Sequence, residues 1–227
     1  MTFSVCVREA FSDEAGERYR RFGVAVTTPL PGVGRLCPFA SEDAAIAVQS
    51  HVDAELGERA MKYLADGLLI DDAIGGLLRA DEARDRRQVH GVGTDGSFAF
   101  TGSDCPEWSG HREGENVTVA GTHLAGPAVI ERALRAYESS AHSSEPLASR
   151  LIDALAAGRE AGGDSRTDLS VGSAALIVAS TCEHDPVTPY YDDLRVDATE
   201  TPIDDLRETY ENAERGYEEV LARYAAK

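Results

Sequence analysis

The chain has 227 residues, 42% of them apolar, with 40 Asp and Glu against 22 Lys and Arg and a formal charge of −18. That length suits one domain with a sizeable core or at most two small ones, and the scarcity of basic clusters argues against a nucleic-acid partner, whose phosphates need them. No apolar run approaches the ~20 residues of a membrane span and the start lacks the regions of a signal peptide, so a cytoplasmic protein with no membrane partner is expected.

In chain order, Phe3–Val7 and Phe22–Thr28 are β-rich and flank the charged stretch Ser12-Asp13-Glu14-Ala15-Gly16-Glu17, which predicts an antiparallel hairpin. Pro29, Pro31, Gly32 and Gly34 then break regular structure, and a short strand is expected around Ala44–Gln49. Two helices follow. The spacing aligns Leu56, Ala60, Tyr63 and Leu64 over Ala54–Ala65, and Ile70, Ile74, Leu77 and Leu78 over Ile70–Arg79.

A second β block begins at Arg87–Gly93 and Ser97–Gly102, joined by Thr94-Asp95-Gly96; Asp-Gly between β runs is a strong hairpin signal. Asn116–Gly121 continues it. Helices are predicted near Pro127–Tyr137 and Pro146–Ala157, Pro127 standing where a helix start favours proline. Gly162-Gly163-Asp164 reads as a loop, Ala174–Ser180 as a buried strand and Leu194–Val196 as an edge strand. The last helix, Pro202–Tyr224, carries Ile203, Leu206, Tyr210, Ala213, Tyr217, Val220 and Tyr224 at alternating spacings of three and four. That stripe packs either on its own domain or against a second copy, and a homo-oligomer is expected.

Strands arriving in groups rather than singly between helices predict an α+β fold, with two antiparallel sheets sandwiched between helix layers. Residues 1–200 are expected to form this domain, and 201–227 the C-terminal amphipathic helix. The acidic surface fits a protein adapted to molar salt, since at ~1 M the Debye length falls to ~3 Å and self-repulsion is screened. A basic partner is the other reading of the same charge.

The chemistry points to the start of the chain. Methionine aminopeptidase removes Met1 when the second side chain is small, and Thr2 qualifies. Thr2 would then carry a hydroxyl nucleophile and a free α-amine on one residue; the amine titrates near ~7.7–8.0, where a general base works well. Other candidates are scattered. Arg86-Arg87-Gln88 begins a strand, where one Arg can reach a substrate carboxylate through two hydrogen bonds or form a structural ion pair. Asp164 and Arg166 follow two glycines in a loop able to approach a ligand. His111 and His123 sit beside glycines and suit acid–base work or a structural hydrogen bond. Trp108, the only Trp, can wall a pocket or pack in the core. Cys6, Cys37, Cys105 and Cys182 form no C-x-x-C pair, and Cys182-Glu183-His184 is too compact for a metal site. Neither a metal nor a cofactor is expected.

Segments along almost the whole chain resemble one family. They include Thr2-Phe3-Ser4-Val5, Phe22-Gly23-Val24-Ala25-Val26, Ala47-Val48-Gln49-Ser50 and Arg86-Arg87-Gln88-Val89. Further on come Trp108-Ser109-Gly110-His111-Arg112, Ala120-Gly121-Thr122-His123-Leu124-Ala125-Gly126, Ala161-Gly162-Gly163-Asp164-Ser165-Arg166 and Asp193-Leu194-Arg195-Val196-Asp197. The family is domain of unknown function 1028, which looks like a branch of the N-terminal nucleophile hydrolases. The resemblance implies a four-layer α-β-β-α sandwich and amide cleavage by Thr2. Beside Thr2, Thr122 and Asp164 are the further catalytic candidates, and Thr28, Arg35, Arg87, Gln88, His123 and Arg166 are expected near a small-molecule substrate, whose identity the resemblance does not supply. Two departures stand out. Thr28-Pro29-Leu30 replaces a basic residue common in relatives, leaving Arg35 as the nearest cation, and Thr122 replaces an Asn whose amide would donate to an oxyanion.

Three readings remain: a Thr-dependent amidohydrolase, a catalytically silent ligand-binding or assembly module on the same fold, and a metal-dependent enzyme using the scattered Cys and His.

Overall fold

A computed structural model describes residues 2–12, 15–141, 143–166, 168–182 and 190–225. The hairpin of β1 (Thr2–Ser12) and β2 (Arg18–Thr28) is longer than its apolar stretches predict. It is followed by β3 (Pro38–Ala40), β4 (Ala44–Ser50), α1 (Ala54–Ala65) and α2 (Ile70–Ala80). Then come β5 (Arg87–Gly93), β6 (Ser97–Thr101), β7 (Gly110–Gly114) and β8 (Val117–Thr122). α3 (Ala128–Ser140), α4 (Leu147–Glu160), β9 (Gly172–Ser180), β10 (Asp193–Thr199) and α5 (Pro202–Ala225) complete the order.

The strands form two antiparallel sheets, one of six in the order β10-β9-β2-β1-β8-β7 and one of four in the order β3-β4-β5-β6. α3, α4 and α5 cover the larger sheet, α1 and α2 the smaller, and the sheets face each other through β1, β2, β4, β5 and β8. The fold is α+β, a four-layer α-β-β-α sandwich. Strands buried on both faces explain why Phe3–Val7 shows no clean polar alternation. Phe3, Val5 and Val7 lie in the core under α3 and α4, while Cys6 packs with Val24, Ala45 and Ala47 between the sheets.

Each helix buries the stripe its spacing defines. Leu56, Ala60 and Leu64 of α1 join Ile70, Ile74, Leu77 and Leu78 of α2 against the smaller sheet. Asp53 caps α1 by accepting the Leu56 N–H at 3.1 Å, an interaction worth about 1 kcal/mol. α2 has no cap of its own; Asp95, in the β5–β6 turn, accepts its Ile70 N–H at 3.4 Å, so that turn does more than reverse the chain. Leu151, Ile152 and Leu155 of α4 are fully buried, and truncating any one to Ala costs about 2–5 kcal/mol. Ile203, Leu206 and Tyr210 of α5 belong to this core, whereas Val220 and Leu221 are exposed.

Sequence reading missed two strands. β3 is only three residues long, and β7 reads Gly-His-Arg-Glu-Gly at a sheet edge, without the apolar residues that mark a strand. The Cys182-Glu183-His184 reading lies partly outside the described residues, as do Asp13 and Glu14 of the first turn and the side chain of Tyr224.

Candidate active site

A cavity of about 290 Å³ opens where the first residue of β1 meets the last of β8, with Thr2 and Thr122 as register partners across the two strands. Thr122 is 2% exposed. His123 follows it in the left-handed region (φ 54), and Ser50, at the end of β4, is left-handed as well (φ 72). Both line the cavity. Such backbone in a residue with a Cβ costs of order 1 kcal/mol and persists where neighbours over-determine it.

Those neighbours are identifiable. The Gly162-Gly163 loop, with φ of 125° and 52° that a larger side chain resists, folds back onto the β8 turn. Ser165 N–H donates to the His123 carbonyl at 2.9 Å, Ala125 N–H to that of Gly163 at 3.0 Å, and Leu124 bridges Asp164. This docking brings Arg166 into the cavity lining beside His123. Asp164 grips Arg166 from behind, accepting Nε at 3.2 Å and Nη2 at 3.1 Å. Burial pushes the Asp164 carboxyl upward, opposed by the backbone N–H of Arg166 and the nearby charge of His123. Asp164 itself lines a neighbouring cavity of about 150 Å³ together with Thr28. The Thr2 hydroxyl donates to that of Thr28 at 3.3 Å.

The other wall comes from the smaller sheet. His51 and Arg86 line the cavity, and the His51 N–H donates to the Arg86 carbonyl at 3.1 Å. Asp104 and Pro106, in the loop before β7, complete it, with the Asp104 N–H on the Asp85 carbonyl at 2.7 Å. Of these, His51 and Asp104 carry no sequence signal that sets them apart from surface polar residues.

Besides Thr28, which lines the neighbouring cavity, three expected substrate contacts lie elsewhere. Arg87 is buried and spends its guanidinium on Asp81 at 2.7 Å, Asp53 at 3.1 Å and the His51 carbonyl. The Arg87 hydrogen bond holds Asp81 below the usual carboxylate range. Gln88 is fully buried between the sheets. Arg35 points outward, 3.6 Å from Glu58. His111 is bonded to Thr101 at 2.9 Å, outside the cavity lining.

Gln88 belongs to a buried polar ladder. Its amide nitrogen shares two hydrogens among three acceptors, Thr101 at 2.8 Å and the carbonyls of Gly110 (3.0 Å) and Gly121 (3.1 Å), the last of them one residue before Thr122 on β8. Its oxygen accepts from Gln49 at 2.8 Å. Ser4 donates to Gln49 at 3.0 Å, so the Ser4 oxygen is left to accept from His90 Nε2 at 2.7 Å. His90 Nδ1 then accepts from Thr118 at 2.8 Å, which makes the ring a neutral tautomer with both nitrogens satisfied. Burial, then the charge of His111, pushes His90 down to about 3. Cys37 in the same layer is pushed up to about 12 by burial, which leaves it an unreactive thiol. Among the described residues, no group of three or more His, Cys, Asp or Glu is arranged to hold a metal ion, and no helix is long and apolar enough to cross a membrane.

Two antiparallel sheets between helix layers, with a hydroxyl residue at the cavity end of the first strand, define the class of fold. The chain belongs to the family of unknown function DUF1028, whose model matches residues 2–206. Its fold is similar to the crystal structure of a protein from Silicibacter pomeroyi of the same family designation. The two share 24% identity and a TM-score of 0.72 over 93% of this chain and 85% of that one. No curated protein matches the chain.

Proposed function

We propose that the protein is an amidohydrolase in which Thr2, exposed by removal of Met1, is the nucleophile, acting in the cytoplasm on a small amide, ureide or short peptide. The observation that carries this reading is the placement of Thr2 opposite Thr122 in the lining of one cavity, with His123 and Arg166 beside them.

The Thr2 hydroxyl attacks the amide carbonyl while its own α-amine takes the proton. A positioned base of this kind contributes roughly 10²–10⁴-fold. Negative charge developing on the carbonyl oxygen is met by Thr122, and a donor in that role is worth roughly 10²–10³. The protonated amine delivers its proton to the leaving nitrogen, the C–N bond breaks, and an ester on Thr2 remains. Water, deprotonated by the same amine, hydrolyses that ester and restores the hydroxyl. Arg166, fixed by Asp164, orients the substrate. The cavity volume lies at the small end of the range of about 300–1,000 Å³ for ligand sites.

A catalytically silent binding protein is the second reading. It is favoured by the Thr2 hydroxyl's bond to Thr28, a group that is no base, and by the lack of lysine among the described residues of the lining. The two are separated by N-terminal sequencing followed by an amide-library screen of native and Thr2→Ala protein. Release of product by the native protein, lost in Thr2→Ala at unchanged melting temperature, is expected. A retained Met1 with no turnover would favour the silent reading. Self-association through the exposed end of α5 completes the proposal.

A further inference from the structure

We propose that the compound taken by this cavity carries a free carboxylate, seated on the guanidinium of Arg86. The inference rests on the Thr2 reading for the bond that is cut, but its anion preference is read from a different residue.

Among the described residues, the cavity is lined by two arginines, two histidines and a single acid, in a protein with 40 acidic and 22 basic residues. The two arginines differ. Arg166 is neutralised by Asp164. The Arg86 side chain is exposed and, among the described residues, makes no ion pair or hydrogen bond. In the Arg86-Arg87 pair, Arg87 is consumed by two carboxylates and a carbonyl, so only Arg86 is left for a ligand. Its backbone is nonetheless fixed by the His51 N–H on its carbonyl and by Arg87 next to it. A guanidinium on a rigid base, at a cavity and without an internal acid, is suited to planar recognition of a carboxylate by two hydrogen bonds. The surplus of negative charge elsewhere repels anions at long range, but that field is screened beyond ~10 Å at 0.1 M salt, leaving the local cation to decide. Asp104, which also lines the cavity, disfavours a second negative charge. The substrate class is therefore an amide or ureide bearing one carboxylate, such as an N-acyl amino acid.

Isothermal titration of Thr2→Ala protein with N-acetylglycine and with its neutral counterpart, N-acetylglycinamide, tests this at fixed ionic strength. The acid should bind at least ten times more tightly than the amide. Adding Arg86→Gln should bring the two to parity without lowering the melting temperature, since the side chain has no internal partner to lose. Arg84→Gln, whose guanidinium stacks 5.0 Å from the Phe100 ring, should leave the preference intact, and Asp104→Asn should strengthen binding of the acid. Equal or absent binding of the two compounds would overturn the inference, as would a preference that survives Arg86→Gln. The readout is equilibrium binding to a protein without the Thr2 hydroxyl, so a failed nucleophile assignment leaves it untouched.

Discussion

The Thr2 hydroxyl donates to the Thr28 hydroxyl at 3.3 Å, so the nucleophile candidate rests on a group that cannot accept its proton for good. If the base is instead the α-amine of Thr2, Thr28→Val should lower turnover less than tenfold. Thr2→Ala, or a residue inserted before Thr2 to prevent Met removal, should each cost several orders of magnitude. Thr2→Ser should keep part of the activity. The check is turnover of a substrate from the amide screen; full activity in Thr2→Ala would sink the mechanism.

Arg87 is a positioning residue, tying the start of β5 to Asp81, Asp53 and the carbonyl of His51. Arg87→Met leaves these acids without their buried cation and should destabilise the fold by about 3 kcal/mol. The Asp53 cap and the Ser50–His51 wall should loosen with it. Urea denaturation gives the first effect, and a rise in KM larger than the fall in kcat would show the second.

His90 sets an acid limb on stability. Its folded value of about 3 lies below the ~6.5 of an unfolded histidine. Below pH ~6.5 the unfolded chain therefore binds a proton that the folded one refuses, and stability falls with pH by up to ~1.4 kcal/mol per unit until about pH 3. His90→Gln keeps a donor and an acceptor in the ladder but cannot titrate. It should be less stable at pH 7 and show a shallower decline between pH 6 and 4 in guanidinium titrations. An unchanged slope would mean that His90 is not buried in its neutral form.

The charge of −18 predicts a melting temperature that climbs from about 0.1 to 3 M KCl as repulsion is screened. A flat profile would remove the salt-adaptation reading and favour a basic partner.

Tyr217 stacks edge-on against Tyr191 at 5.5 Å, and beyond it Val220 and Leu221 stand exposed at 43% and 44%. Replacing both Val220 and Leu221 by Glu should convert an oligomer to a folded monomer, as read by light scattering. An unchanged mass would confine the role of α5 to its own subunit.

Much of the architecture was legible because local signals were strong. The Asp-Gly turn marked the β5–β6 hairpin, and apolar spacing alone placed α1 between the residues where it is found. Pairing of β1 with β8 carries no local signal, because the two strands lie far apart in the chain and become neighbours only as the six-stranded sheet assembles. Arg87 was open in sequence either to a substrate carboxylate or to a structural ion pair, and the fold gives it Asp81 and Asp53; Gln88 finds its partners between the sheets. Arg86 and Arg87 are alike in sequence, and only the fold tells the consumed guanidinium from the available one.

The β1–β8 pairing also has a bearing on synthesis. Thr2 and its register partner Thr122 are 120 positions apart, and at 5–20 residues per second a ribosome needs roughly ten seconds to cover that distance. Until β8 emerges, the leading end of β1 has no neighbour on that side, and the wall holding Thr122 and His123 does not exist. If Met1 is removed as proposed, the trimming enzymes have a window in which Thr2 is open to them, and it shuts as the cavity is built.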